Sequence, residues 1–439
     1  MNAAASAAAP AAVVGLTPYD LMAVRARSLA LVEGLTAEDM VVQSMPDASP
    51  LKWHLGHTTW FFETFVLGPH AGLAPLRPEW GYLFNSYYEA AGPRHPRPQR
   101  GLLTRPPLGE VLDWRRRVDD RLAGFLASGP GPGPGPGAET GAMALLTLGL
   151  NHEQQHQELM LTDLKHLFSC NLLRPVWRPR ADAPAAGGDR AAPPLGWLVR
   201  DGGVHAIGWD GAGFAFDNEG PRHRVWLEPF AIADRPVTNG EYMDFMADGG
   251  YADPGLWLSD GWAAVRAGSW EAPGYWQRDG AGGWQVFTLS GPMAPDPAEP
   301  VCHLSQYEAD AYARWADRHW PGSRLPTEAE WEVGLRDHPA HAADPDRGHP
   351  LALTGAVSDG PGWGQVWEWT GSAYLPFPGF RPAAGAVGEY NGKFMSGQMV
   401  LRGGSCATPP GHTRPTYRNF FPAAARWQFS GLRLARSLT

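Results

Sequence analysis

Little cysteine, no long apolar run and no surplus of positive charge distinguish this chain of 439 residues. Its three cysteines, Cys170, Cys302 and Cys406, lie far apart and form no C-x-x-C pair. That spacing sets aside a disulfide framework and a structural zinc ribbon, and a reducing cytoplasm is the expected compartment. No stretch approaches the roughly 20 apolar residues a bilayer-spanning helix needs. The Ala-rich start carries no basic n-region, so residues 1–16 read as a disordered tail rather than a targeting peptide. A formal net charge of −9 argues against nucleic acid or an anionic membrane as partner. Internal repeats are also missing.

What is abundant is Gly (54), Pro (43) and Trp (20), which together predict a loop-rich unit whose irregular backbone is pinned by buried indoles. The length exceeds what one core usually holds, so two domains are expected. The first, over 17–177, reads as helices. Thr17-Pro18 and Ser49-Pro50 are start signals, the latter leading into Trp53, Leu55, Trp60, Phe61 and Val66. Helical spacing recurs from about Leu108 to Leu126 and from near Thr140 to Phe168. Between these last two, Gly129 to Gly137 alternates Gly and Pro and reads as a surface link. Four such helices predict a four-helix bundle. Residues 178–195 turn to Ala, Pro, Gly and Arg, as a linker does. From 196 to 439 periodicity fades, one helix (Ser305 to Arg318) excepted, and an α+β unit with much irregular structure is expected.

The strongest chemical signal is Asn151-His152-Glu153-Gln154-Gln155-His156-Gln157-Glu158. Histidines four apart leave one face of a helix one turn from each other, a spacing that suits two ligands on one metal. Flanking Leu and Met imply a buried helix, and two buried imidazoles close together need partners. A third ligand should come from a neighbouring helix, where His54 and His57 are both available and spacing does not choose between them. Three neutral nitrogens suit zinc, copper or iron with open positions left for substrates. Glu158 points away from His156 and reads as a residue that orients a ligand rather than as a ligand.

The run Ser49 to Thr64 (Ser-Pro-Leu-Lys-Trp-His-Leu-Gly-His-Thr-Thr-Trp-Phe-Phe-Glu-Thr), with His152, His156 and Glu158, resembles the ergothioneine-biosynthesis sulfoxide synthases. Independently, Pro236-Val237-Thr238-Asn239-Gly240-Glu241, Arg324-Leu325-Pro326-Thr327-Glu328-Ala329-Glu330-Trp331, Val366-Trp367-Glu368-Trp369 and Arg402-Gly403-Gly404-Ser405 resemble the formylglycine-generating, sulfatase-modifying fold. Members of the synthase family pair the two units. The resemblance implies a DinB-like four-helix bundle followed by a C-type-lectin-like domain, with Fe(II) held by His57, His152 and His156; His54 becomes a structural or supporting residue. Formylglycine oxidases hold copper with two cysteines shortly after this Arg-Gly-Gly-Ser. Here Cys406 stands alone, which speaks against copper chemistry.

The same resemblance assigns Tyr87 and Tyr88 a place beside the iron, as hydrogen-bond or proton donors. It assigns Arg97 and Arg100 to the carboxylate of a small thiol, and puts Asn419, Phe420 and Phe421 on a loop facing the bundle, where an aromatic can hold a trimethylammonium group. The implied reaction joins a thiol (cysteine, or γ-glutamylcysteine) to the imidazole C2 of hercynine with O2, giving a hercynyl sulfoxide. Selenoneine synthases share the architecture, so a selenosugar or selenol donor is the nearest alternative. A zinc-dependent DinB-type thiol transferase, and a carbohydrate-binding module, are the readings from other classes.

Overall fold

The computed structural model describes residues 20–129, 141–179, 191–211, 213–341, 345–353, 362–383, 388 and 391–438. The expected tail at 1–16, the Thr17-Pro18 start, most of the Gly-Pro run and the middle of the 178–195 linker lie outside the described residues.

Four helices make the first unit: α1 (Leu21–Leu31), α2 (Leu51–Phe62), α3 (Leu108–Ala127) and α4 (Ala142–Ser169). They close a ring in which α4 packs on α1 and α2, and α3 packs on both as well. Every residue of α2 is buried. Helix α3, with one apolar and one charged face, lies at the surface as its periodicity predicts. Helix α2 runs on through a wider π-helical turn, Glu63–Leu67, which apolar spacing does not distinguish from ordinary helix.

The bundle core is partly ionic. Glu153 on α4 accepts from Arg25 Nη1 (2.8 Å), Ser28 Oγ (2.6 Å) and Arg115, so one carboxylate ties α1, α3 and α4. Burial alone would raise its pKa. The Arg115 and Arg25 guanidiniums outweigh that and hold it at about 2.

The second unit is built on two four-stranded sheets. One joins Trp197–Arg200, Phe230–Ala233, Ala435–Ser437 and Ser323–Arg324. The other contains β1 (Trp367–Ala373), β2 (Met399–Arg402), β3 (Asn419–Phe421) and β4 (Ser430–Leu432), in the order β3-β2-β1-β4 with β1 and β4 parallel. Four indoles, of Trp331, Trp363, Trp367 and Trp369, are among its largest fully buried side chains. Besides Gln306–Ala316, three helices that periodicity missed are present: Asn239–Ala247, Ser259–Gly268 and Glu328–Leu335. Each spans three turns or fewer, too short to show a period. Two of them, like Gln306–Ala316, open on a capping box: Thr238 with Glu241, and Thr327 with Glu330.

Candidate metal centre and the cleft beside it

Two glycines let the site close. A Cβ on Gly56 would lie 2.3 Å from the ring of Phe84, and one on Gly149 would lie 2.4 Å from Phe62. Without them α2 sits tight against Phe84 and α4. The Phe84 carbonyl therefore reaches His57 Nδ1 at 2.6 Å and accepts its proton. That leaves His57 Nε2 with a bare lone pair. His57 Nε2 lies 3.2 Å from His152 Nε2, which lies 3.1 Å from His156 Nε2. All three residues are buried, and among the described residues they form the one cluster whose ligand atoms gather closely enough to share an ion. Two nitrogens about 2.1 Å from one cation, at roughly a right angle, stand about 3 Å apart; the observed spacings fit. Burial depresses the basicity of all three, His152 to about 4 and the other two well below the ordinary imidazole range. The imidazoles are neutral at physiological pH, the form a metal takes.

Aromatic packing fixes the rings. Trp53 stacks on His57 (4.7 Å between centroids), and Phe61 lies 4.8 Å from His152. The Arg100 guanidinium covers the other part of this wall, 3.3 Å from the Trp53 ring centroid. Arg100 is buried, donates to Ser49 Oγ (2.9 Å) and Ser86 Oγ (3.0 Å), and makes no ion pair with a carboxylate among the described residues. Burial lowers its pKa to about 9.

Between the bundle and the second unit lies a cavity of about 230 Å³, which shares α4 with His152 and His156 although none of the three imidazoles lines it. Gln155, Glu158, Leu159 and Thr162 of α4 form its floor. Tyr87 and Arg97 come from the segment between α2 and α3, while Tyr417, Asn419, Phe420, Phe421 and Trp427 come from the second unit. The two units are joined across it. Gln155 Nε2 donates to Tyr417 Oη (2.6 Å), and Glu158 accepts from Trp367 Nε1 (2.7 Å), Ser405 Oγ (2.6 Å) and Thr408 Oγ1 (2.8 Å).

Residues 20–160 match the DinB superfamily, and residues 190–346 and 362–438 match the sulfatase-modifying factor enzyme 1-like domain. The hercynine oxygenase of Mycolicibacterium smegmatis is 32% identical over 95% of this chain and 97% of its own length. That of Mycobacterium tuberculosis is 33% identical over 94% and 96%. The chain belongs to the hercynine oxygenase family. Its second unit alone also aligns with the formylglycine-generating enzyme of Streptomyces coelicolor, 29% identical over 57% of this chain and 90% of that one. The two-unit fold read from the sequence is thus the family's, and a family of enzymes places this chain among them. No helix of the described residues is long and apolar enough to cross a membrane.

In this hercynine oxygenase relative the expected site residues fall into three groups. His57, His152 and His156 converge, and the His57 position that spacing left open is the one in the cluster. Tyr87, Arg97, Asn419, Phe420 and Phe421 line the cleft; the last three form an edge strand paired with β2 (Val400 opposite Phe420), not the loop expected. Tyr88 and Arg100 lie behind the wall instead, Tyr88 packed against Phe65 and Trp60. Glu158 requires a correction: its hydrogen bonds all go to the second unit, because it lies about 200° around α4 from His156. The group that bonds His156 is His54 (2.7 Å between Nδ1 atoms), itself bonded to Asp163. Asp163 escaped the sequence reading, although its place seven residues past His156 returns it to the same helix face. Cys302 and Cys406 are buried, and burial first of all pushes their thiols up, Cys302 to about 12, away from the thiolate that copper requires.

Proposed function

We propose that the chain couples a small thiol to the imidazole C2 of hercynine, with O2 as oxidant and Fe(II) held by His57, His152 and His156. The carrying observation is the convergence of three buried, neutral imidazoles, two of them on the helix that also lines an interdomain cleft, in a chain of the hercynine oxygenase family. The balance is a thiol, a C2–H and O2 going to a C2-bound sulfoxide and water. When bound, the iron supplies O2 activation and a shared point of attachment for the reactants. The chain supplies the rest. Aromatic faces of Tyr417, Phe420 and Trp427 suit the trimethylammonium group, and Arg97 at the mouth suits a carboxylate. The Tyr87 side chain lines the same cavity, where a phenol can hold or pass a proton. The second unit roofs part of the cavity with Trp367, Tyr417, Phe420 and Trp427.

One observation favours a second reading. Asn391, Gln398, Asn419 and Gln428 line the same cleft as Phe394 and Phe420, and neutral amides beside rings suit hydroxyls and hence a selenosugar donor. Anaerobic loading with Fe(II), then air and hercynine with cysteine, γ-glutamylcysteine or a selenosugar in turn, tests both by product mass. A hercynyl-cysteine sulfoxide formed only with O2 and Fe(II) is the expected result, and turnover with Zn(II) in the absence of O2 would establish the transferase instead. If no donor couples to hercynine, the proposal fails.

A further inference from the structure

Behind His156 stands a second line of polar groups that the proposed reaction does not use. His54 Nδ1 lies 2.7 Å from His156 Nδ1, and His54 Nε2 lies 2.9 Å from Asp163 Oδ2. The same Asp163 oxygen accepts the Ser49 backbone N–H at 2.8 Å. His54, His156 and Asp163 are all buried, so water does not compete for these bonds.

Only one arrangement of protons satisfies the whole chain and leaves a ligand. A carboxylate offers acceptors only, so His54 must carry its proton on Nε2. Its Nδ1 is then an acceptor and must receive the His156 Nδ1 proton. His156 Nε2 is left bare, and it is the nitrogen 3.1 Å from His152 Nε2. Reversing the middle bond would put a proton on His156 Nε2 and remove a ligand from the cluster. His57 has its own, different device, the Phe84 carbonyl. We infer that Asp163 and His54 are positioning residues that lock His156 in the Nδ1–H tautomer and aim its Nε2 at the metal. The inference rests on the metal site proposed above; its effect on the tautomer exists before any metal binds.

Groups that support a metal-bound imidazole in this way are worth roughly 10- to 100-fold in metal affinity. In metal-free protein labelled with 15N-histidine, the His156 signals (assigned by their loss in His156→Ala) should report a fixed Nδ1–H form. His54→Leu should give an averaged or reversed tautomer, and Fe(II) affinity, read by chelator competition, should fall by that factor. His54→Gln should recover most of both, since one amide presents an acceptor and a donor about as far apart as two ring nitrogens. Asp163→Asn keeps an acceptor oxygen for both donors, so the tautomer should survive while affinity falls less. A His54→Leu chain with the wild-type tautomer and wild-type Fe(II) affinity would overturn the inference. Failure of the wild-type chain to bind Fe(II) would refute the metal site instead, and the tautomer signals would still judge the relay.

Discussion

Replacing Glu153 with Gln keeps the shape of the bundle's ionic core and removes the carboxylate that Arg25 and Arg115 share. Arg25 would retain Asp119, but Arg115 would lose its carboxylate partner and stay buried. Breaking a buried pair from one side costs about 3–5 kcal/mol near neutral pH. The pH dependence gives a sharper test. The folded pKa of about 2 lies below the ordinary 4.5, so the stabilisation is complete above about pH 4.5 and is lost as the pH falls toward 2. A displacement of that size corresponds to about 3 kcal/mol at neutral pH, of which about 2 kcal/mol is gone by pH 3. Cys170 is the one exposed cysteine, at the end of α4, so a fluorophore there follows the bundle selectively. Urea denaturation of the labelled wild-type and Glu153→Gln chains between pH 3 and 7 should show their difference shrinking by about that amount as the pH falls. A difference that does not change with pH, or a variant as stable as the wild type, would refute the ionic reading of this core.

Gly56→Ala should destabilise the chain by about 1–3 kcal/mol through overpacking against Phe84. It should also weaken Fe(II) binding, since the Phe84 carbonyl that sets the His57 tautomer must move; thermal melts and chelator competition measure the two effects separately. Arg97→Met should raise KM for a carboxylate-bearing donor by roughly tenfold, one contact of about 1.4 kcal/mol, with a smaller change in kcat, because Arg97 lines the cleft. Equal losses for donors with and without a carboxylate would show that Arg97 shapes the cleft without contacting the donor. Glu158→Leu strands three buried donors at about 1–3 kcal/mol each and should lower hercynine affinity through a loosened domain contact. Fe(II) affinity should hold, and its collapse in step with His54→Leu would restore Glu158 as a histidine orienter.

Sequence carries the metal pair most clearly, because His152 and His156 are local and a helix converts four residues of separation into one face. His54 and His57 show the limit. Three residues apart, they sit about 60° from each other on α2, and both are buried. One reaches the cluster and the other reaches Asp163 on α4, a distinction made by the neighbouring helix. The cleft was legible only through family motifs, because Tyr87 and Arg97 come from one segment of the bundle and Asn419 and Phe420 from a distant one in the second unit. The edge strand Asn419–Phe421 departs from the loop that the resemblance implies, and three residues are too few to show the alternation that would have signalled it. The short helices of the second unit show no period for the same reason, although two of the three open on capping boxes written in the sequence.

The run Asn151 to Glu158 has the composition of a solvated surface, yet seven of its eight residues are buried and Gln155 is partly so. Helical angle explains why. At about 100° per residue, His152, His156 and Asp163 fall within about 40° and face α2. Glu153 and Gln157 fall some 100–140° on and face α1, where Gln157 donates to the Val24 carbonyl (2.7 Å) and Ser28 Oγ (3.0 Å). Gln154, Glu158 and Gln155 occupy the remaining arc, about 200–300°, and face the second unit. A bundle standing alone would expose that last arc to water. The second unit makes it an interface, by bringing Trp367, Ser405, Thr408, His412 and Tyr417 against it. The metal-bearing helix is thus held on three sides by three different polar chemistries. One side fixes the ligands, one fixes the bundle, and one fixes the roof of the cleft. The pairing of the two units is tied to that division: α4 carries polar side chains, Gln154 and Glu158 among them, whose partners lie in the second unit.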